Sequence, residues 1–193
     1  MIKGIAFDME GTVIDVENEH FEAMRLAAEE VGVMFDPNNL IADITAKIPN
    51  AIGGGDAVNS RGIWELSGKE SSAEEISTRK FYYYNKLIEE LTTIEPRPGF
   101  LQVLERIRSR DIPVAIASLT PRHQAEVLLE RSGLRKLFPS YLILLEDSVK
   151  SRKPAPDVYL KAARLLDLWP EQQLVFEDSA TGLVAARAAG SPA

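Results

Sequence analysis

The sequence predicts an α/β fold in which a parallel sheet flanked by helices is interrupted, after its first strand, by a helical insertion. Apolar runs typical of buried strands alternate with helix-periodic segments through residues 92–193, as expected for a parallel sheet. Residues 16–91 carry helical patterns instead. We therefore expect a core domain built from residues 1–15 and 92–193, and a small helical domain from residues 16–91. A chain of 193 residues is long enough to bury a core.

The first strand is predicted by the apolar run Ile5–Phe7, which ends at the acidic residue Asp8. A second acid, Glu10, follows two residues later, and residues two apart in an extended chain face the same way. Gly11 allows the backbone to turn there. Open α/β sheets bind ligands at this edge, so both acids are candidate site residues. The alternative is a loop with two solvated acids.

Helical periodicity predicts four helices in the insertion. The last of them opens with a capping box from Ser72 to Glu75. Gly53–Gly55 predicts a mobile loop, either a helix–helix connection or a ligand loop; it is not a Walker loop, because no Gly-Lys-Ser/Thr sequence follows. The four predicted helices run from about Phe21 to Val31 with Gly32 closing it, from Asn39 to Lys47, from Arg61 to Leu66, and from Ser72 to about Leu91.

After the insertion, helices and strands alternate. Thr120 is predicted to cap one of these helices, with Pro121 in its first turn. The predicted elements are a helix over Phe100–Ile107, a strand over Ile112–Ala117, a helix from Pro121 to Ser132, a strand over Tyr141–Leu145, a helix opening at Lys153–Asp157, a strand over Gln173–Phe176 and a helix from Gly182 to Ala189.

Chemically useful side chains follow all four predicted strands of the sheet. The carboxyl ends of parallel strands share one edge, so four separated stretches of chain meet there. Each stretch alone has an ordinary explanation, since a Ser after a strand usually caps a helix and a Lys before a proline is usually solvated. The ordered set of four predicts one site. Its members are Asp8 with Glu10, Ser118, Lys153, and Glu177 with Asp178.

The acidic members of this set predict a phosphoryl-transfer site that uses Mg²⁺. Asp8 and Asp178 supply hard oxygen ligands, and Mg²⁺ prefers one or two carboxylates together with water and phosphate. A carboxylate beside such an ion and a phosphate can act as a nucleophile and form an aspartyl-phosphate. Glu10 lies where a general acid would protonate the leaving oxygen and later deprotonate the attacking water.

Three further groups are candidates to hold the transferred phosphoryl group. They are the hydroxyl of Ser118, the N–H of Leu119 at a predicted helix N-terminus, and the ammonium of Lys153. The chain has a net charge of −7, so an anionic substrate requires a local pocket of this kind. The same net charge argues against a nucleic-acid partner, which would require a basic face.

Composition excludes several other classes of protein. The chain has no cysteine, which excludes disulfides, thiolate chemistry and cysteine metal sites. No run approaches the ~18 apolar residues of a membrane span, and we find no signal peptide, so we expect a cytoplasmic protein without a membrane partner. The aromatic residues Trp64 and Phe81–Tyr84 form either an interface patch or internal packing. We expect the second use for most of them, and hence a monomer.

These motifs together resemble the haloacid dehalogenase superfamily, over nearly the whole chain. The resemblance is closest to the β-phosphoglucomutase-like branch of phosphatases and mutases with a small helical cap. The motifs that carry it are Asp-x-Glu-Gly-Thr from Asp8, the strand that ends in Ser118, Lys-Pro-Ala-Pro-Asp from Lys153, and Glu-Asp-Ser-x-x-Gly from Glu177.

The resemblance implies a Rossmann-like core with a cap inserted after the first motif. It also implies roles for the residues at the strand ends. His20 matches a position that meets the substrate in the mutase branch, although a half-buried helix histidine is an equal explanation. The implied roles are Asp8 as nucleophile, Glu10 as acid and base with its backbone carbonyl on Mg²⁺, Ser118 and Lys153 on phosphate, and Asp178 on Mg²⁺ with Glu177 beside it.

Three features depart from the family pattern. The phosphotransferases carry Asp at the position of Glu10, and one more methylene moves the carboxyl by about 1.5 Å. A displacement near 1 Å can reduce a rate on the order of 10²-fold. The cap arginine of the mutase branch has no counterpart in residues 48–56, and Arg61 and Lys80 are weak substitutes. Family members also continue past the last helix into a further strand, so we expect part of the sheet edge to be unpaired here.

The sequence thus predicts a Mg²⁺-dependent phosphatase that hydrolyses a small phosphorylated metabolite, such as a sugar phosphate, through an aspartyl-phosphate on Asp8. One alternative is a phosphomutase. Another is a phosphometabolite binder that Glu10 leaves inactive or slow. A dehalogenase is disfavoured, because those enzymes do not need Mg²⁺ and carry a bulky non-acidic residue at the position of Glu10.

Overall fold

The computed structural model describes residues 1–52, 55–69 and 71–193, which divide into two compact units. The sheet unit comprises Met1–Val16 and Thr92–Ala193, and the helical unit comprises Glu17–Leu91. In chain order the elements are β1 (Gly4–Phe7), α1 (Glu17–Glu29), α2 (Leu40–Lys47), α3 (Gly55–Leu66), α4 (Ala73–Glu90), α5 (Phe100–Arg108), β2 (Val114–Ala117), α6 (Arg122–Arg131), β3 (Ile143–Leu144), α7 (Asp157–Leu165), β4 (Gln173–Phe176) and α8 (Ala180–Ala189).

The sheet unit contains a parallel sheet of four described strands in the order β3-β2-β1-β4. Phe7 at the end of β1 lies opposite Ile116 of β2 and Phe176 of β4. This register brings the residues that follow β1, β2 and β4 to the same edge of the sheet. The predicted α/β class with a parallel sheet is therefore confirmed.

The two faces of the sheet are covered by different helices, because successive strand residues point to opposite sides. Ala6 points to one face and belongs to a buried cluster that includes residues of α7 and α8. Phe7 points to the other face, where its ring meets Phe100 of α5 edge-on with 5.4 Å between ring centroids. Burial on both faces explains why the strands read as continuous apolar runs.

The helical unit packs four described helices, α1 to α4, around its own apolar cluster. The predicted capping box of α4 is present: the Glu75 N–H donates to Ser72 Oγ at 3.1 Å, and the Ser72 N–H donates to Glu75 Oε2 at 3.0 Å. The buried cluster comprises Phe21, Met24, Ala28, Val33, Phe35, Ile44, Ile48, Ala51, Ile63 and Ile76. No helix in the part of the chain that the structure describes is both long and apolar enough to cross a bilayer.

Several predicted element bounds are wrong. The third helix begins at Gly55 rather than Arg61, because its first turns bury the polar residues Asn59 and Ser60 and expose Val58, a pattern that gives no apolar periodicity. The third strand contains only Ile143–Leu144, since the residues just before it form a 3₁₀ turn. The last helix begins at Ala180, capped by Ser179, two residues before the predicted start at Gly182. Of the predicted glycine loop, Gly53 and Gly54 lie outside the described residues.

The outer side of β4 is partly paired. Within the described residues no strand follows α8, as expected from the sequence. The Val175 N–H nevertheless donates to the carbonyl of Pro192 at 2.8 Å, on the side of β4 away from β1. The segment after α8 thus satisfies one of the edge groups that we expected to be unpaired.

Candidate active site

Asp8 is positioned by the end of the first strand. Its N–H donates to the carbonyl of Phe176 at 2.9 Å, which extends the β1–β4 ladder by one residue. The residue is only 7% exposed. The backbone therefore fixes this carboxylate at the carboxyl edge of the sheet, where the sequence predicted it.

Lys153 joins two carboxylates from different strand ends. Its ammonium lies 2.6 Å from Asp8 Oδ1 and 2.7 Å from Glu177 Oε2, and its side chain is 8% exposed. The predicted convergence of the loop after β3 with the ends of β1 and β4 is present in the structure. A buried ammonium held by two carboxylates is placed to meet an anionic group that approaches Asp8.

Glu177 is held from several sides. Ser179 donates its N–H and its hydroxyl to Oε1, at 3.1 and 2.7 Å, and the Tyr159 hydroxyl donates to Oε2. A Cβ at Gly182 would lie 1.9 Å from the Glu177 carboxyl carbon, so any other residue there would displace this carboxylate. The carboxylate of Glu177 is thus fixed by hydrogen bonds and by close packing.

Asp178 is the exposed acid of the group. Thr12 donates its hydroxyl to Asp178 Oδ1 at 3.3 Å. Gly11 has φ +82°, and a Cβ there would lie 2.1 Å from Asp178 Oδ2. The predicted turn at Gly11 is therefore also the place where the backbone after β1 approaches the carboxylate after β4.

The protein's own groups shift the acidities at this site. Burial above all raises the pKa of Asp8, Lys153 opposes this and Glu177 adds to it, and the net result is a pKa of about 7. Burial and Glu177 also raise the pKa of Asp178. Burial works against the charged form of Glu177, yet Lys153 and the hydrogen bonds to this carboxylate hold its pKa below the usual value. Burial likewise opposes the charge of Lys153, but Asp8 and Glu177 raise its pKa.

Three carboxylates form a group that could hold a metal ion. Oxygen atoms of Asp8, Glu177 and Asp178 lie within 4.8 Å of one another. With Lys153 as the adjoining cation, three carboxylates and one ammonium leave a charge of −2 when all are ionised. A hard divalent cation would balance this charge, so the donor set fits Mg²⁺. The carboxylate of Glu10 does not belong to this group of described residues.

Glu10 is instead brought to the residues that follow β2. The Thr120 hydroxyl donates to Glu10 Oε1 and lies 2.8 Å from Ser118 Oγ. The prediction that Thr120 caps the following helix is wrong, because α6 begins at Arg122 and has Pro121 at its N-cap position. For the same reason Leu119 is not at a helix N-terminus; its side chain packs against the buried cluster on the Ala6 face of the sheet.

His20 lies in the helical unit among residues of that unit. Its ring stacks on Tyr84 with 4.0 Å between centroids, and its Nδ1 lies 3.0 Å from Lys80 Nζ. Lys80 is also paired with Asp56. These contacts account for a half-buried histidine on α1. The substrate-binding role of His20 stays a prediction.

Four site residues were missed by the sequence reasoning. Thr12 and Ser179 stand inside motifs that were recognised, so their positions were a usable signal. Thr120 was assigned to a helix cap, and Tyr159 lies in a predicted helix but was given no role. Their hydroxyls reach carboxylates 110 and 18 residues away, and no local pattern carries that information.

Comparison with known proteins identifies a family and similar structures. A family model described as a haloacid dehalogenase-like hydrolase matches residues 2–190. The phosphorylated carbohydrates phosphatase of Thermotoga maritima is 31% identical, over 98% of this chain and 82% of that protein. The fructose-1-phosphate phosphatase YqaB of Escherichia coli is 32% identical, over 98% of this chain and 94% of that protein. The crystal structure of CbbY from Rhodobacter sphaeroides in complex with phosphate is similar to this structure, with a TM-score of 0.70 and 28% sequence identity. The similarity covers 99% of this chain and 84% of that chain.

Proposed function

Because the chain belongs to the haloacid dehalogenase-like hydrolase family, we propose that it is a Mg²⁺-dependent phosphatase of a small phosphorylated carbohydrate. In this proposal the phosphoryl group passes through Asp8 to water. The observation that carries the proposal is the buried Asp8 carboxylate at the end of β1, hydrogen-bonded to Lys153 and grouped with Glu177 and Asp178.

In the first half of the reaction, Asp8 attacks the phosphorus atom of the substrate. Lys153 occupies Oδ1, so we assign the attack to Oδ2. A bond forms between Oδ2 and phosphorus, and the bond from phosphorus to the sugar oxygen breaks. Glu10, in its protonated form, gives its proton to that oxygen, and the sugar leaves as a neutral alcohol. Lys153 and the Ser118 hydroxyl offset the negative charge of the phosphoryl oxygens.

In the second half, water replaces Asp8 on phosphorus. The Glu10 carboxylate, left without its proton, takes one from the attacking water. The water oxygen bonds to phosphorus while the bond to Asp8 Oδ2 breaks. Inorganic phosphate leaves, Asp8 returns as a carboxylate and Glu10 is protonated again for the next cycle.

Asp8 and Asp178 would hold Mg²⁺, with Glu177 beside them and the backbone carbonyl of Glu10 as a further ligand by family resemblance. When bound, the ion supplies positive charge to the phosphoryl oxygens and favours the charged form of Asp8. Glu177 serves in this proposal to hold Lys153 in place. Tyr159 and Ser179 hold Glu177 in turn, through the hydrogen bonds described above.

The predicted cap, residues 16–91, contains the whole helical unit and would act as the cap that the resemblance implies. A cap closes over the substrate, excludes bulk water and selects the substrate. In this proposal His20 is a cap residue that meets the sugar. The names of the relatives from Thermotoga maritima and Escherichia coli support a phosphorylated carbohydrate as the substrate class.

The test measures phosphate released from fructose 1-phosphate by the purified protein with and without MgCl₂. We expect turnover that requires Mg²⁺ and falls on the order of 10⁴-fold or more in Asp8→Asn. The matched control is Asp167→Asn, an exposed aspartate of the sheet unit with φ +56°, a conformation that asparagine adopts readily. This control should keep normal turnover.

Other results would favour the alternatives. Absence of turnover by the natural sequence, restored by Glu10→Asp, would indicate a phosphometabolite binder. Isomerised sugar phosphate that forms only when a sugar bisphosphate is present would indicate a phosphomutase. Turnover that survives Asp8→Asn would contradict the assignment of the nucleophile.

A further inference from the structure

Thr120 occupies the position of a helix cap but does not act as one. It is 5% exposed and follows β2 by three residues. The N-cap position of α6 is Pro121, and no side chain caps this helix. A buried hydroxyl needs a partner, and the hydroxyl of Thr120 finds Glu10 across 110 residues of chain. The residue type that suits a cap therefore has another use here.

The hydrogen-bond directions around Thr120 follow from the number of protons. The Thr120 hydroxyl donates to Glu10 Oε1, which accepts either as a carboxylate oxygen or, when Glu10 is protonated on Oε2, as the carbonyl oxygen of the acid. Threonine has a single hydroxyl proton, so the 2.8 Å contact between Ser118 Oγ and Thr120 Oγ1 is donated by Ser118 before substrate binds, and this donation ends when the Ser118 hydroxyl turns to the phosphoryl group. The Thr120 N–H in turn donates to Ser118 Oγ at 3.3 Å. Thr120 is thus anchored to the end of β2 at both its hydroxyl and its backbone.

Glu10 needs such an anchor more than an aspartate would. Its extra methylene adds one rotatable bond and about 1.5 Å of reach, so an unrestrained carboxyl samples a larger volume. Thr120 occupies Oε1, which assigns the transferable proton to Oε2. A carboxyl with one oxygen held and the other carrying the proton is oriented for a single direction of proton transfer.

We propose that Thr120 is a positioning residue that fixes the Glu10 carboxyl so that Oε2 delivers the proton to the leaving oxygen. This inference rests on the proposed function. The proton moves from Oε2 to the sugar oxygen as the phosphorus–oxygen bond breaks and the bond to Asp8 forms, and Thr120 keeps its own proton throughout. The structure thereby gives one physical reason why this chain can use glutamate where its family uses aspartate.

The test compares two substrates that differ in their need for an acid. The sugar oxygen of fructose 1-phosphate is a poor leaving group without a proton, whereas p-nitrophenolate leaves readily as an anion. We measure kcat/KM for both and take the ratio of the first to the second. Because loss of folded protein lowers both values equally, the ratio is insensitive to any stability defect of the variant. It responds to the delivery of the proton.

Thr120→Val, which keeps the shape and removes the hydroxyl, should lower this ratio about tenfold or more, since general acid catalysis contributes roughly 10²–10⁴-fold. Thr120→Ser keeps a hydroxyl and should restore the ratio to within about threefold of the natural sequence. Thr120→Ala serves as a second variant without the hydroxyl and should behave like Thr120→Val.

A double-mutant cycle adds a second readout. The aspartate of Glu10→Asp is too short for the present contact with Thr120, so Thr120→Val should change the ratio less than about threefold in that background. Equal effects of Thr120→Val with Glu10 and with aspartate would overturn the proposal, as would an unchanged ratio in Thr120→Val. Failure of the natural sequence to release phosphate from either compound would instead overturn the proposed function.

Discussion

Lys153 in the sheet unit and Lys80 in the helical unit occupy similar surroundings but are neutralised differently. Each ammonium lies over a tyrosine ring, Tyr159 at 5.0 Å for Lys153 and Tyr84 at 5.5 Å for Lys80, and each side chain is less than a tenth exposed. The two lysines differ in the anions that surround them.

Lys153 contacts two carboxylates, Asp8 and Glu177, whose side chains are 10% and 1% exposed. Among the described residues, Lys80 contacts one carboxylate, that of Asp56, whose side chain is 54% exposed, and a ring nitrogen of His20. A buried lysine alone therefore does not distinguish a catalytic site from a structural pair. In our proposal the distinguishing feature is the surplus of buried negative charge around Lys153, which a further cation would balance.

The largest expected difference between the two lysines is in stability. Lys153→Met leaves two buried carboxylates without their cation and should reduce the free energy of unfolding by about 3–5 kcal/mol. Lys80→Met leaves a half-exposed carboxylate that water can solvate, and should reduce it by about 1 kcal/mol. Urea unfolding at pH 7 without divalent cations measures both. Equal losses would show that the surplus charge around Lys153 has no energetic consequence.

A smaller difference concerns the pH dependence of two aspartates. Burial first of all raises the pKa of Asp8 from 3.8 to about 7, so the folded state holds a proton that the unfolded state releases. Without divalent cations, the natural sequence should therefore lose stability relative to Asp8→Asn as the pH rises from about 4 to 7, by up to about 1.4 kcal/mol per pH unit. Above that window the difference should be constant.

Asp43 in the helical unit should show the opposite sign. The hydrogen bond from Lys47 lowers its pKa, so its contribution to stability is present at neutral pH and is lost as the pH falls through the acid range. Unfolding of the natural sequence, Asp8→Asn and Asp43→Asn over the same pH series gives both comparisons. The same sign at both positions would contradict our account of the Asp8 pKa.

The smallest effect concerns the response to Mg²⁺. MgCl₂ should raise the melting temperature of the natural sequence, because the ion binds the folded state. Asp178→Asn should weaken this response by about tenfold or more in Mg²⁺ concentration, whereas Asp56→Asn, the same change in the helical unit, should leave it unaltered. The melting temperatures of the natural sequence and of both variants, measured over a series of MgCl₂ concentrations, test this expectation. An identical shift in Asp178→Asn would exclude that carboxylate as a metal ligand.

Local pattern predicted much of this molecule. The strand Gln173–Phe176 and the capping box at Ser72 were predicted at the residues where they occur, since apolar runs and caps are short-range features. The family resemblance is confirmed by the match over residues 2–190. The proximity of Asp8 and Lys153 was predicted from topology, because the carboxyl ends of parallel strands share an edge.

The remainder of the site depends on tertiary contacts. Thr120 was predicted to cap a helix because its local sequence favours that role. In the structure its hydroxyl instead donates to the carboxylate of Glu10, 110 residues away. Tyr159 is buried in α7 and its hydroxyl reaches Glu177, a contact that the helical periodicity of the sequence does not contain. Gly182 was taken as the start of a helix, whereas the carboxylate of Glu177 explains the glycine. The roles of these three residues could be assigned only from the distant residue that each one contacts in the folded protein.

The central claim is that Asp8 accepts the phosphoryl group. Glu10→Gln, which retains Asp8 but lacks the general base, is incubated with p-nitrophenyl phosphate and MgCl₂, quenched in acid and analysed by intact mass and peptide mapping. We predict one phosphoryl group on the peptide that contains Asp8, and none when Asp8→Asn is added. Phosphate release without a phosphorylated protein, or a phosphoryl group on another residue, would contradict the account.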